Sequence, residues 1–360
     1  MDTMNKTTLR ILDILSSEIN RPLSINSLTD KIYRRYNAGY YRDVYENIQD
    51  LTKSGILQIS KSGKSSIVSL NFDNEILVDI LAEMELERKL DFVQKRKEFQ
   101  ILLSALASRI TGYTIINSVL MIYSERNAKL NRAELAFMLK DSKGLHNETE
   151  MTDLIDLTGW LESEYNIKID ALFIAQDEFI EKLRSESINP IKEMMADKIA
   201  VFFPQAFWLE IKRALAKERP MTIEEHEIHP AKIAEQDLVS NLAVLGYKEI
   251  GTEIKPPSRL IGIEYIITAV LMRENQRRKE AVPIIIAKNE DKINYDLLIF
   301  LSTKYKTLQL LFGLLNALNQ IKPIDGIKNA LKRMNAMKIE EIHVDIKDIE
   351  EKLRLYNVIK

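Results

Sequence analysis

Cysteine is absent from this 360-residue chain. That excludes disulfides, a thiolate nucleophile and any cysteine-ligated zinc site. Histidine is nearly as scarce, with only His146, His226, His229 and His343. His226 and His229 sit three apart in Glu-His-Glu-Ile-His-Pro, a spacing that could begin a metal site. With no third ligand in view on a polar stretch, they read as solvated, and no metal or cofactor is expected. Glycine is low at 11 residues, and neither a Walker loop nor a dinucleotide fingerprint occurs; nor is a Ser/His/Asp arrangement found. No apolar run approaches the roughly 20 residues that a membrane span needs. The opening Met-Asp-Thr-Met-Asn-Lys has no uninterrupted apolar stretch of the signal-peptide kind, so the expected location is the cytoplasm.

What the chain does contain is apolar residues at 46%, enough for sizeable cores in two or three domains. Charge is nearly balanced overall at −2 but unevenly spread. Residues 1–72 carry 10 Lys+Arg against 7 Asp+Glu, a net of +3, and the remainder is net −5. A polyanionic partner would meet the first part.

That part has a definite order of elements. Leu9, Ile11, Leu12 and Leu15 fall at helical spacing. Leu23 reads as a short strand, and Ser24 as the N-cap of a second helix through Leu28, Ile32 and Tyr36. Asn37 is expected to cap a third helix over 38–54. There Val44, Ile48 and Leu51 share one stripe, while Arg42, Glu46, Gln49 and Lys53 turn the other way. Gly55 stops it. Ile56 to Ser60 and Ser65 to Leu70 then alternate as strands around the turn Lys61-Ser62-Gly63-Lys64. Five of the 13 tyrosines lie here, at 33, 36, 40, 41 and 45. About three are expected to pack, Tyr41 among them, with Tyr45 at the stripe's edge where its hydroxyl can reach a phosphate.

This order resembles the winged helix-turn-helix superfamily over about the first fifth of the chain. The resemblance implies double-stranded DNA as partner. Arg42, Gln49 and Lys53, with Tyr45 beside them, would face the groove, and Arg34, Arg35, Lys61 and Lys64 would meet phosphates. Asp43, Glu46 and Asp50 on the same helix temper nonspecific affinity. Some winged domains bind only protein, which leaves that alternative open.

Residues 73–112 read as a charged connecting helix, its Lys95-Arg96-Lys97 a solvated face. From 113 to 215 the pattern changes to β-like runs, Ile115 to Tyr123, Leu135 to Leu139 and Ile167 to Ile174, with a helix around Leu154 to Glu164. The order resembles the minimal nucleotidyltransferase domain of the DNA polymerase beta superfamily. In that family a Gly-Ser follows the first strand, Asp-x-Asp lies on the second, and a third carboxylate comes later. Here Tyr123-Ser124 stands at the Gly-Ser position, nine residues intervene before Glu134-Leu135-Ala136, and Asp170 matches the third carboxylate. The family's carboxylates hold the Mg²⁺ ions of phosphoryl transfer, and Ala136 cannot ligate one. The resemblance therefore implies a catalytically degenerate domain, with Ser124, Glu134, Ala136 and Asp170 as relics.

Residues 216–360 read as mainly helical, with Leu260 to Met272, Ile284 to Ala287, Tyr295 to Tyr305, Leu308 to Leu318 and Ile327 to Met337 as packed helices. The expected whole is a helix-rich α+β protein: a winged helix domain, a nucleotidyltransferase-like α/β domain and a helical C-terminal region. Its expected function is that of a DNA-binding transcriptional regulator and homodimer, leaning away from enzyme. The alternatives are an active Mg²⁺-dependent nucleotidyltransferase and a toxin-antitoxin component.

Overall fold

The computed structural model of this chain describes residues 5–19, 23–63, 65–122, 131–140, 148–215, 221, 228–248, 255–273 and 276–359. It is α+β and helix-rich, with two small sheets.

The first unit contains α1 (Lys6–Ser17), β1 (Leu23–Ser24), α2 (Ile25–Tyr36), α3 (Tyr41–Lys53), β2 (Leu57–Ser62) and β3 (Ser65–Leu70). Its helix starts are fixed locally. The Asn5 side chain accepts the Thr8 N–H at 2.8 Å, and Ser24 Oγ accepts the Ser27 N–H at 3.1 Å, as a Ser N-cap should. Asn37 does something other than expected. At φ 47° it adopts the left-handed conformation that Asn tolerates and closes α2; α3 begins at Tyr41 with no side-chain cap. Gly55, at φ 73°, ends α3 and turns the chain into β2. β3 pairs antiparallel with β2 from Leu57 opposite Leu70 to Ser62 opposite Ser65, and with β1 on its other edge. Ile11, Leu12, Leu28, Ile32, Val44, Ile48 and Val68 are fully buried between these elements.

Two helices follow where one was expected, α4 (Ile76–Lys95) and α5 (Lys97–Ile110), because Arg96 leaves helical geometry at φ −134° and ψ 76°. Its guanidinium lies 4.9 Å from the Phe99 ring centroid, while Lys95 and Lys97 are solvated. The second sheet is built from β4 (Ile116–Ile122), β5 (Arg132–Leu139), β6 (Lys168–Ala175) and β7 (Lys198–Phe202) in the order β6-β5-β4-β7. β4 runs antiparallel to β5 and β7, whereas β5 and β6 are parallel, as the intervening α6 (Glu148–Tyr165) permits. α7 (Gln176–Arg184) and α8 (Pro190–Asp197) lead into β7, and α9 (Pro204–Leu215) follows it.

Alternate residues on these strands face two cores. Val119, Leu135, Phe137 and Ile169 pack with α5 and α6. Leu120, Ala136, Leu172 and Ile174 face the larger core. The C-terminal region contributes α10 (Glu235–Val244), α11 (Ile263–Met272), α12 (Gln276–Lys279), α13 (Ala281–Lys288), α14 (Tyr295–Lys304), α15 (Leu308–Ile321), α16 (Asp325–Ala336) and α17 (Ile346–Leu355). It is helical as expected, and α14 lies directly against β6.

A buried polar chain ties the first unit to the second sheet. Asp13 on α1 accepts from the Tyr36 hydroxyl and pairs with Arg35 at 3.3 Å and with Arg88 on α4. Arg88 reaches Glu85 at 3.2 Å, and Glu85 in turn binds Lys198 Nζ at 2.6 Å and the Ala200 N–H at 2.9 Å on β7. Burial pushes Lys198 down to about 8 and Arg88 down to about 10.

Candidate nucleic-acid interface and carboxylate pair

α3 packs against α1, α2 and β2 through Val44 and Ile48, and its opposite face is open. Arg42 stands on that face with its side chain 87% exposed, and Tyr45, Glu46, Asp50 and Lys53 are exposed with it; Gln49 is half-buried. Two ion pairs run along this surface. Arg42 Nε donates to Glu46 at 2.8 Å, and Lys53 Nζ lies 3.1 Å from Asp50. Glu46 raises the Arg42 guanidinium above its ordinary value, so the arginine is charged but already partnered.

Arg34 and Arg35 lie exposed at the last turn of α2, and Lys61 is exposed on β2. Lys64 lies outside the described residues. Arg35 differs from Arg34 in being held by Asp13, so only Arg34 is free to swing among the described partners.

The tyrosines are arranged otherwise than expected. Only Tyr36 is half-buried; Tyr33, Tyr40, Tyr41 and Tyr45 are exposed, Tyr40 by 81%. Tyr41 opens α3 rather than sitting a turn inside it, so it escapes the cover of α1 and α2. Its ring stacks on Tyr45 with centroids 6.1 Å apart. Exposed tyrosine hydroxyls beside the arginines of α2 and α3 can donate to phosphates, and the rings can lie against sugars or base edges.

The second constellation lies on the second sheet. Glu134 and Asp170 are direct register partners on β5 and β6, both buried and both on the face turned to α14. The two acids, 36 positions apart in the chain, thus lie side by side in space; Ser124 lies outside the described residues. Each acid already has cations of its own. Lys304, at the end of α14, binds Glu134 at 2.8 Å. Arg132 ion-pairs with Asp170, with Lys168 Nζ 3.8 Å away on the other oxygen, and Arg132 also donates to the Lys304 carbonyl at 2.8 Å. Ala136, one step further along the same face of β5, is fully buried and offers no donor.

Two carboxylates facing three cations leave no net negative charge in the cluster. A divalent ion would need both acids freed and a third ligand found, and these residues do not fit one. Among the described residues no group of three or more His, Asp or Glu side chains is arranged to hold a metal. The sequence pointed to the acids by their spacing but missed their counterions. Arg132 and Lys168 each stand two residues before an acid, so strand alternation puts them on the same face, a readable signal. Lys304 arrives from far along the chain and left none.

No family model, no curated protein and no solved structure matches this chain.

Proposed function

We propose that residues 6–70 are a winged helix-turn-helix that binds double-stranded DNA, and that the chain acts as a transcriptional regulator, as a homodimer. The observation that carries this reading is the free outer face of α3, with Arg42 and Lys53 exposed on it and Arg34 and Lys61 exposed to either side. A helix whose back is fixed by Val44 and Ile48 and whose front is open is shaped for a major groove; its own charges are mixed, Arg42 and Lys53 lying beside Glu46 and Asp50, and the cationic flanks come from Arg34 and Lys61. On this reading the second sheet is a nucleotidyltransferase-like module kept for packing or sensing, and its carboxylates serve as ion-pair partners. The test is gel-shift titration of the whole chain against a pool of duplexes, with light scattering of the complex. Selected duplexes bound by a dimer support the reading, and no retention at low salt rejects it in favour of a protein-only adaptor of the toxin-antitoxin kind.

A second reading keeps one observation on its side, the register of Glu134 beside Asp170. An active nucleotidyltransferase would incorporate labelled nucleotide with Mg²⁺ and lose that activity in Glu134→Ala. The ion pairs to Lys304 and Arg132 favour the inactive alternative.

A further inference from the structure

Among the described residues β6 is an edge strand, bonded to β5 alone. In a parallel pair the N–H and C=O of one residue point the same way, and the next residue's point the other way. The Lys168 N–H donates to the Asn131 carbonyl on the β5 side at 2.8 Å, so the peptide groups of Ile169 point outward. The outward set is therefore Ile169, Ala171 and Phe173. These three line a cleft of about 330 Å³, and Asp170 and Leu172 between them do not. Among the described residues nothing hydrogen-bonds the outward peptide groups of Ala171 and Phe173.

A bare edge is ordinarily covered or paired. This one is flanked by helices but paired with no strand: α6 stands on one side and α14 on the other, and α16 closes across to α6, leaving a cleft along the edge. Its volume is at the lower end of the roughly 300–1,000 Å³ range of small-molecule sites and leaves no room for a continuous added strand. Apolar walls come from Ile155 on α6 and Ile299 on α14. The ends are polar. Glu162 and Lys168 stand where β6 begins, and the Arg333–Asp296 ion pair stands toward its close.

A second observation points the same way. Gly159, within α6, lies on the rim of the cleft, and a Cβ there would meet nothing within 4 Å. Glycine weakens a helix interior. Here no neighbour in the protein requires one, and Gly159 is exposed where it lines the cleft.

We propose that this cleft binds a small molecule with an apolar body and an amide-like edge. Its carbonyl accepts from, and its N–H donates to, the outward peptide groups of Ala171 and Phe173. The site is independent of the DNA-binding reading, and it shares Lys168 with the Glu134–Asp170 cluster.

The test uses the full chain with benzamide as probe, followed by saturation-transfer NMR and by thermal shift. Benzamide is expected to bind, and N,N-dimethylbenzamide, which keeps the ring and the carbonyl but has no N–H, about tenfold more weakly. Gly159→Leu is expected to fold, by circular dichroism, and to lose the benzamide signal; Gly159→Ala is expected to raise the melting temperature of the free protein and keep it. Thr303→Met, from the α14 wall, blocks the same space independently. Absence of benzamide binding, equal binding of the dimethylated analogue, or undiminished binding in both Gly159→Leu and Thr303→Met overturns the proposal.

Discussion

The proposed DNA binding has its sharpest consequence in a salt dependence carried by the cations that flank α3, on α2 and on the β2–β3 turn. Four cations are assigned to phosphates, Arg34, Arg35, Lys61 and Lys64, and each neutralised phosphate contributes about −0.9 to the slope of log K against log salt. A full set gives a slope of about −3.6, so affinity falls about 150-fold between roughly 50 and 200 mM salt. The structure separates the members of the set. Arg34 is exposed and unheld by Asp13, so Arg34→Ala should flatten the slope by about one unit with stability unchanged. Arg35 is tethered to Asp13 at 3.3 Å, so Arg35→Ala should flatten it less and cost stability as well. Glu46→Gln removes the partner of Arg42 and a negative charge from the face, and should tighten binding to every duplex. Gln49→Ala should instead relax preference at one base pair by about 1–3 kcal/mol at unchanged slope. Fluorescence anisotropy at five salt concentrations reads all four variants. A wild-type slope near zero, or a slope that no substitution changes, refutes the assignment of this face to DNA.

Other expectations concern the junction between the first unit and the sheet. Lys198→Met leaves the Glu85 carboxylate buried without its 2.6 Å partner and should cost about 3–5 kcal/mol in urea unfolding; adding Glu85→Gln should recover part of it. Burial lowers Lys198 to about 8 in the folded chain, so above that pH the unfolded state binds the extra proton. Stability relative to Lys198→Met should then rise from about pH 8 toward the ordinary lysine value, and a fall in that window would contradict the direction. Ser24→Ala removes the α2 cap and should cost about 1 kcal/mol by the same unfolding assay.

Much of the first unit was legible because its signals are local. Ser24 caps where a Ser before an apolar stripe should, Gly55 takes the positive φ that ends α3, and the alternation of Ser65 to Leu70 is that of β3. Asn37 was ambiguous for a physical reason: Asn is favoured both at N-caps and in the left-handed C-cap, and the two differ only in where the next helix starts. With α3 starting at Tyr41 rather than at residue 38, the Tyr41 ring lies at the surface instead of in the core. β7 was not anticipated at all. Lys-Ile-Ala-Val-Phe is too short to show a period, and it becomes a strand only by pairing with β4, some eighty residues earlier in the chain.

The carboxylate pair shows the same division between local and distant information, with a consequence for function. Spacing on neighbouring strands was enough to bring Glu134 and Asp170 together, since a parallel pair joined by one helix has little freedom of register. What the pair does depends on α14, whose last residue, Lys304, reaches back to Glu134 while its backbone carbonyl receives Arg132. A buried acid must be compensated by something, and a cation carried by a packed helix cannot leave as an ion from solution can. Position and occupancy are therefore separate properties of this site. The strands determine that two acids meet, and a helix more than a hundred residues downstream determines that their charge is spent on holding the C-terminal region against the sheet.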